Sequence, residues 1–158
     1  MPDLPPFGAL IDEHGRAVHR FLVAYVGPSE ADDCFQEACI AALRAYPELS
    51  HGEHLRAWLM RIAQRKAIDA ARASGRRATP VGELPEQPGT DPEPSFGGEP
   101  VWAKVRELPE KQRVAVFLRS AADLSYAEVA IALGCSQEAA RRSVHEGLKR
   151  LREEMVAA

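Results

Sequence analysis

The sequence predicts an all-α protein of two small helical domains joined by an acidic linker rich in proline and glycine, the second domain carrying a helix-turn-helix. Three observations predict it. Apolar side chains recur at helical spacing in both halves, beginning with the broad stripe Phe7, Leu10, Ile11, Val18, Phe21, Leu22 and Tyr25, which His14 joins. Residues 79–100, TPVGELPEQPGTDPEPSFGGEP, hold the carboxylates Glu83, Glu86, Asp91, Glu93 and Glu99 and no basic residue. Residues 125–151 read as two short helices meeting at Gly134.

The first predicted helix runs from Phe7 to Val26 and stops at Gly27-Pro28, because proline disfavours a helical residue before it. Ser29 is placed to cap a second helix with Asp32 at N3, and Glu30, Asp32 and Asp33 complement the dipole of its first turn. This helix, running to about Tyr46 and stopped by Pro47, should bury Phe35, Ala38, Cys39, Ala42 and Leu43. Its other side carries Asp33, Gln36, Glu37, Ile40 and Arg44. A merely solvated acidic face would be the ordinary reading, but Ile40 is an apolar residue within it and suits a partner surface.

Residues 47–53 are expected to loop, and a third helix should run from about His54 to Ala73. Leu55, Trp58, Leu59, Ile62 and Ala63 give it an inner side. Arg56, Arg61, Arg65, Lys66 and Arg72 give it a basic outer side, extended by Arg76 and Arg77. So strong a bias toward one sign favours nucleic acid over simple solvation.

The purely acidic segment cannot bury enough apolar surface to offset the cost of ordering, so it is expected to be a flexible linker. It divides the chain into residues 1–78, 79–100 and 101–158. After it, residues 101–107 begin the second domain, Leu108-Pro109 breaks the helix, and residues 110–122 form another with Val114, Phe117 and Leu118 inward. Ser125 and Glu128 then have the spacing of a capping box, ahead of Val129, Ala130 and Leu133. Gly134 supplies a turn at positive φ, and Ser136 can cap a last helix whose inner face is Ala140, Val144, Leu148 and Leu151. Arg141, Arg142, His145, Lys149 and Arg150 face outward. An ordinary helical hairpin would show a mixed surface; a basic second helix is what enters a DNA major groove.

The net charge of −3 over 158 residues does not oppose that reading, because the excess acid sits in the linker. Local field, more than net charge, governs binding to a polyanion. Cys34, Cys39 and Cys135 are odd in number and lack CxxC spacing, so reduced thiols packed in the interior are expected. The five histidines lack ligand spacing, and neither a metal site nor a cofactor is expected. There is no Gly-rich phosphate loop or nucleophile elbow to suggest an enzyme. With no long apolar run and no leader pattern, a cytoplasmic protein without membrane insertion is expected.

Three stretches together resemble the extracytoplasmic-function sigma factors of bacterial RNA polymerase. SEADDCFQEACIAALRAY is similar to that family's polymerase-binding helix, LRAWLMRIAQRKAIDAAR to its minus-ten helix, and residues 108–152 to its minus-thirty-five domain. The resemblance implies a factor that binds core RNA polymerase, recognises promoter DNA and helps to open it. It implies polymerase contact through Asp33, Gln36 and Glu37, with Ile40 and Arg44 on the same face. It places Arg61, Gln64, Arg65 and Lys66, flanked by Arg56 and Arg72, along the opened strand, with a captured base near residues 49–54. It places Gln137, Glu138, Arg141, Arg142 and His145 on the recognition helix, with Ser136 and Lys149 at its two ends. The acidic linker would run through basic channels of the polymerase. A monomer when bound to polymerase is expected, and an anti-sigma factor is a further candidate partner. Two other readings stay open: a helix-turn-helix regulator that never binds polymerase, and a sigma-like decoy that occupies an anti-sigma factor.

Overall fold

The computed structural model describes residues 4–50, 52–76 and 98–157, and among these the regular structure is entirely helical. The N-terminal half comprises α1 (Phe7–Val26), α2 (Pro28–Ala45), a 3-10 turn (Tyr46–Glu48) and α3 (Leu55–Arg76). The C-terminal half comprises α4 (Gly98–Arg106), α5 (Glu110–Ser120), α6 (Tyr126–Leu133) and α7 (Gln137–Ala157).

Helix α1 has the expected limits. The corner after it departs from expectation: Gly27, at φ 90°, is the N-cap of α2, and Pro28 rather than Ser29 begins it. Proline is already set to the helical φ and its missing N–H is one that the first turn leaves unpaired, so no hydroxyl cap is needed. Pro47 ends α2 but sits within the 3-10 turn, so the expected loop at residues 47–53 starts with a tight helical turn. Tyr46 in that turn donates its hydroxyl hydrogen to the Pro5 carbonyl and meets Phe7 edge-on at 5.3 Å, tying down the chain ahead of α1. Leu43, expected in the core, is 54% exposed, because the row of α2 that meets α1 and α3 runs through the fully enclosed Ala31, Cys34, Ala38 and Ala42. Met60, which the sequence reading passed over, is fully buried in α3.

Helix α4 begins at Gly98, inside the stretch expected as linker; Pro100 stands in its first turn, where proline is tolerated. Residues 79–97 of the expected linker, with Arg77 before them, lie outside the described residues. In the C-terminal half, the capping box forms as anticipated: the Ser125 hydroxyl accepts from the Glu128 amide at 3.2 Å, and Glu128 Oε1 accepts from the Ser125 amide at 3.1 Å. Gly134 closes α6 in the left-handed region at φ 71°. Helix α7 lies very close to α5 at Gly147, where a Cβ would come within 2.7 Å of Val116 Cγ2.

The two halves pack on each other. Helix α3 lies against α6, and α1 against α5. At the second contact the Tyr25 ring meets Phe117 at 5.0 Å, and Trp102 stacks behind Phe117 at 5.3 Å. Arg113 Nε donates to the Tyr25 hydroxyl at 3.1 Å, and Arg106 Nε donates to the Ala24 carbonyl at 2.9 Å. Burial raises the Tyr25 phenol above its ordinary value, opposed by the neighbouring Arg113 charge. One buried apolar cluster, which includes Met60 and Ala63 of α3 and Val129 and Ala132 of α6, thus runs through both halves, with polar contacts beside it at each end of the seam.

Candidate nucleic-acid interface

The recognition helix is built as the sequence reading anticipated. Ser136 Oγ accepts from the Ala139 amide at 3.1 Å, which fixes the start of α7. Ala140, Val144 and Leu151 are buried beneath it and Leu148 is half-buried. Gln137, Glu138, Arg141, Arg142, His145, Lys149 and Arg150 are exposed on the opposite side. The rigid support comes from below, so the outward side chains keep a fixed register along one face.

One neighbour of this face was not anticipated. Tyr126, the first residue of α6, lies between two guanidinium groups, Arg119 at 4.6 Å and Arg141 at 5.0 Å from the ring centroid. Arg119 is held by a hydrogen bond from Nη1 to the Leu124 carbonyl at 2.8 Å. Tyr126 therefore supports Arg141 from beneath by a cation–π contact. Nothing in the sequence marks that contact, which joins residues on two different helices.

The basic side of α3 is arranged differently. Arg65 is exposed and Lys66 half-buried. Arg61 is exposed, with its guanidinium beside the helix-turn-helix: a Cβ on Gly134 would stand 3.7 Å from Nη2. Arg56 donates through Nε and Nη2 to the two carboxylate oxygens of Glu128 at 2.8 and 2.6 Å. Arg72 makes the corresponding two-pronged contact with Glu110 at 3.2 and 2.6 Å. Gln64, expected on an exposed basic side, is only 7% exposed and donates its amide hydrogen to the Ala132 carbonyl of α6. The reason is tertiary: α6 lies on this side of α3, which no reading of one helix reveals.

Glu128 thus does two things with one carboxylate, capping α6 and pairing with Arg56. The Arg56 hydrogen bonds, with help from the Ser125 amide and against the effect of burial, lower its pKa to about 2. Arg56 is correspondingly held above its usual value by the same hydrogen bonds.

On α2, Asp33, Gln36, Glu37, Ile40 and Arg44 are all exposed, in positions that successive turns bring to one side. Ile40 is 51% exposed, and Leu43 extends it into an apolar pair bordered by acid and amide. The clue to Leu43 was its place three residues after Ile40. Cys34, underneath, is pushed up to about 11 by burial and then by the carboxylates of Glu30, Glu37 and Asp33; burial also raises Cys39. Neither thiol ionises near neutral pH, which suits packing rather than redox chemistry.

An all-helical chain with a helix-turn-helix at one end and a partner-type face at the other is the architecture of a transcription factor that works on promoter DNA. Comparison with known proteins makes this specific. Residues 10–77 match the model of sigma-70 region 2 and residues 99–151 that of sigma-70 region 4. The ECF RNA polymerase sigma factor SigD of Mycobacterium tuberculosis is 39% identical over 155 residues, covering 89% of this chain and 73% of SigD. ShbA of Streptomyces griseus, another ECF sigma factor, is 36% identical over 132 residues, covering 77% of this chain and 69% of its own length. Among solved structures, the sigma factor RpoE of Bartonella quintana, in complex with the anti-sigma factor NepR, shares the fold with a TM-score of 0.72 at 23% identity, covering 93% of this chain and 94% of RpoE. The chain belongs to the ECF group of RNA polymerase sigma factors. It binds core RNA polymerase, recognises promoter DNA and helps to open it for initiation. The family consists of initiation factors that are generally not enzymes. Among the described residues no helix is long and apolar enough to cross a membrane.

Proposed function

We propose a division of this activity among the three faces. Residues 1–78 serve core polymerase and the minus-ten element, residues 101–158 serve the minus-thirty-five element, and residues 79–100 connect them as an acidic strand suited to a basic channel. Asp33, Gln36 and Glu37 face basic groups on the polymerase, Ile40 seats in an apolar recess, and Arg44 closes that contact. Arg56, Arg61, Gln64, Arg65, Lys66 and Arg72 follow the opened strand. Charge on this row holds the backbone while a base is unstacked and captured beside residues 49–54. Arg141, Arg142 and His145 meet the minus-thirty-five major groove, Gln137 and Glu138 lie at its entrance, and Ser136 and Lys149 meet phosphates at either end.

The observation that supports this most is the exposed basic face of a capped, rigidly backed α7. The protein does no chemistry itself; the polymerase supplies it. It acts in the cytoplasm, one copy per polymerase. An anti-sigma factor is its further partner, as the solved relatives RpoE and CnrH were each determined with one bound partner, NepR and CnrY respectively.

The double variant Asp33→Lys/Glu37→Lys tests the first assignment. Both side chains are exposed, so the fold is retained while the face changes sign. Co-elution with core polymerase should be abolished, with helicity unchanged by circular dichroism. Co-elution at the parent level would remove α2 from the polymerase contact and favour a regulator that acts on DNA alone.

A further inference from the structure

Two rows of side chains run along the outer face of α7 at four-residue spacing. The first, Gln137, Arg141, His145 and Lys149, carries no acid, and its Arg141 lies against the Tyr126 ring. The second is Glu138, Arg142, Glu146 and Arg150, all exposed, in which acid and base alternate. On a merely solvated helix such alternation is laced by ion pairs between successive turns. Here no ion pair or side-chain hydrogen bond among the described residues engages any of these four. Their charged groups stay turned outward, on the helix proposed to enter the major groove.

Charge decides what such a row can face. The phosphates of a duplex are uniformly anionic, so a row without acid suits them and one holding Glu138 and Glu146 does not. The floor of the major groove is different, because each base pair presents its own pattern of donors and acceptors. A carboxylate, which only accepts, is matched by the N4 amino group of cytosine; an arginine fork is matched by O6 and N7 of guanine. The row is also held in register. Ser136 caps the start of α7, Ala140 and Val144 are buried beneath it, and Gly147 lets it seat closely on α5. At a rise of about 1.5 Å per residue, Glu138 and Glu146 stand roughly 12 Å apart, with Arg142 midway. That span covers about three to four base pairs at ~3.4 Å each.

We propose that Glu138, Arg142 and Glu146 are specificity-determining residues of α7, selecting an upstream element with a cytosine beside each glutamate and, between them, a guanine beside Arg142. The proposal rests on the assignment of α7 to the minus-thirty-five element. The glutamates reject as well as select. Beside guanine, which offers only acceptors in the groove, a carboxylate loses its water and meets lone pairs, so the wrong base is penalised rather than merely unrewarded. The attraction to phosphate that two carboxylates forgo is supplied by Arg141 and Lys149 in the neighbouring row.

The test uses the full chain in complex with core polymerase, and a duplex pool randomised through both promoter elements; bound DNA is recovered and sequenced. The parent should enrich cytosine at two upstream positions, each by about fivefold or more over the other bases. Glu146→Gln should move the preference at one of these from cytosine to adenine, whose N6 and N7 an amide matches, and leave the other as it was. Glu138→Gln should do the converse, and Glu146→Arg should move its position to guanine. Both glutamates are exposed, so helicity by circular dichroism should not change. An upstream element selected without cytosine overturns the proposal, as does a cytosine preference that survives both glutamine variants. An equal gain in affinity for every sequence in Glu146→Gln overturns it too, since Glu146 would then only hold phosphate off. Failure of the underlying assignment has a different signature: the parent would enrich no base at any upstream position while still selecting a minus-ten sequence.

Discussion

Helices α3 and α7 carry the same signal in the sequence, an apolar stripe opposite a row of arginines and lysines, and the structure treats them in opposite ways. On α7 the row is open: Arg141, Arg142, His145 and Lys149 face solvent, and the motif beneath them is closed by its own caps. On α3 half of the row is taken up: Arg56 and Arg72 are gripped by Glu128 and Glu110, and Gln64 is buried, while Arg61 and Arg65 are exposed. Amphipathic pattern therefore tells which side of a helix is polar, and not whether that side is free. What decides the difference is where the other half of the chain lies.

Charge reversal should separate the two rows most sharply. Arg56→Glu sets two carboxylates against each other in a half-buried contact, and should lower stability by roughly 2–3 kcal/mol in chemical denaturation. Arg142→Glu on the exposed face should stay within about 0.5 kcal/mol of the parent. Similar losses at both sites would mean that α3 and α7 are equally open.

Acid sharpens the same contrast. The folded protein holds the Glu128 carboxyl at about 2 against an ordinary 4.5, so its pairing stabilises the fold above about pH 4.5 and is lost as pH falls toward 2. Stability measured by denaturation should decline through that window more steeply for the parent than for Glu128→Gln. Equal slopes would show that the carboxylate gains nothing from Arg56.

On the open face the effects should be in binding. Arg141→Ala should weaken promoter affinity by about 1–3 kcal/mol at one base position if its fork reads a base edge, and uniformly with a shallower salt slope if it touches phosphate alone. Tyr126→Leu removes the ring beneath that guanidinium and should cost about 0.5–1 kcal/mol in minus-thirty-five binding, leaving single-strand binding at α3 untouched. Loss at both sites would mark Tyr126 as a general support of the fold.

Much of this architecture was legible in the residues. The capping box at Ser125 and Glu128, the turn at Gly134 and the cap at Ser136 are local devices, and each formed as its chemistry requires. Helix α1 was bounded by Gly27-Pro28 for the same reason. What failed was what depends on distant neighbours. Leu43 was assigned inward because its spacing allows it, but alanines fill the packed row of α2. Pro28 displaced Ser29 at the start of α2 because glycine at the corner lets the helix begin earlier. Gly147 gave no sign that α5 would approach so closely, since a small residue within a helix has no local meaning. The pairs Arg56–Glu128 and Arg72–Glu110 span the linker, and periodicity carries no information across it.

The measurement that bears most directly on the whole account is run-off transcription on genomic DNA fragments with purified core polymerase, with and without this protein. The account predicts discrete transcripts that appear only when the protein is present, and that disappear with Asp33→Lys/Glu37→Lys. No transcripts, with no co-elution of the protein and core polymerase, would contradict it.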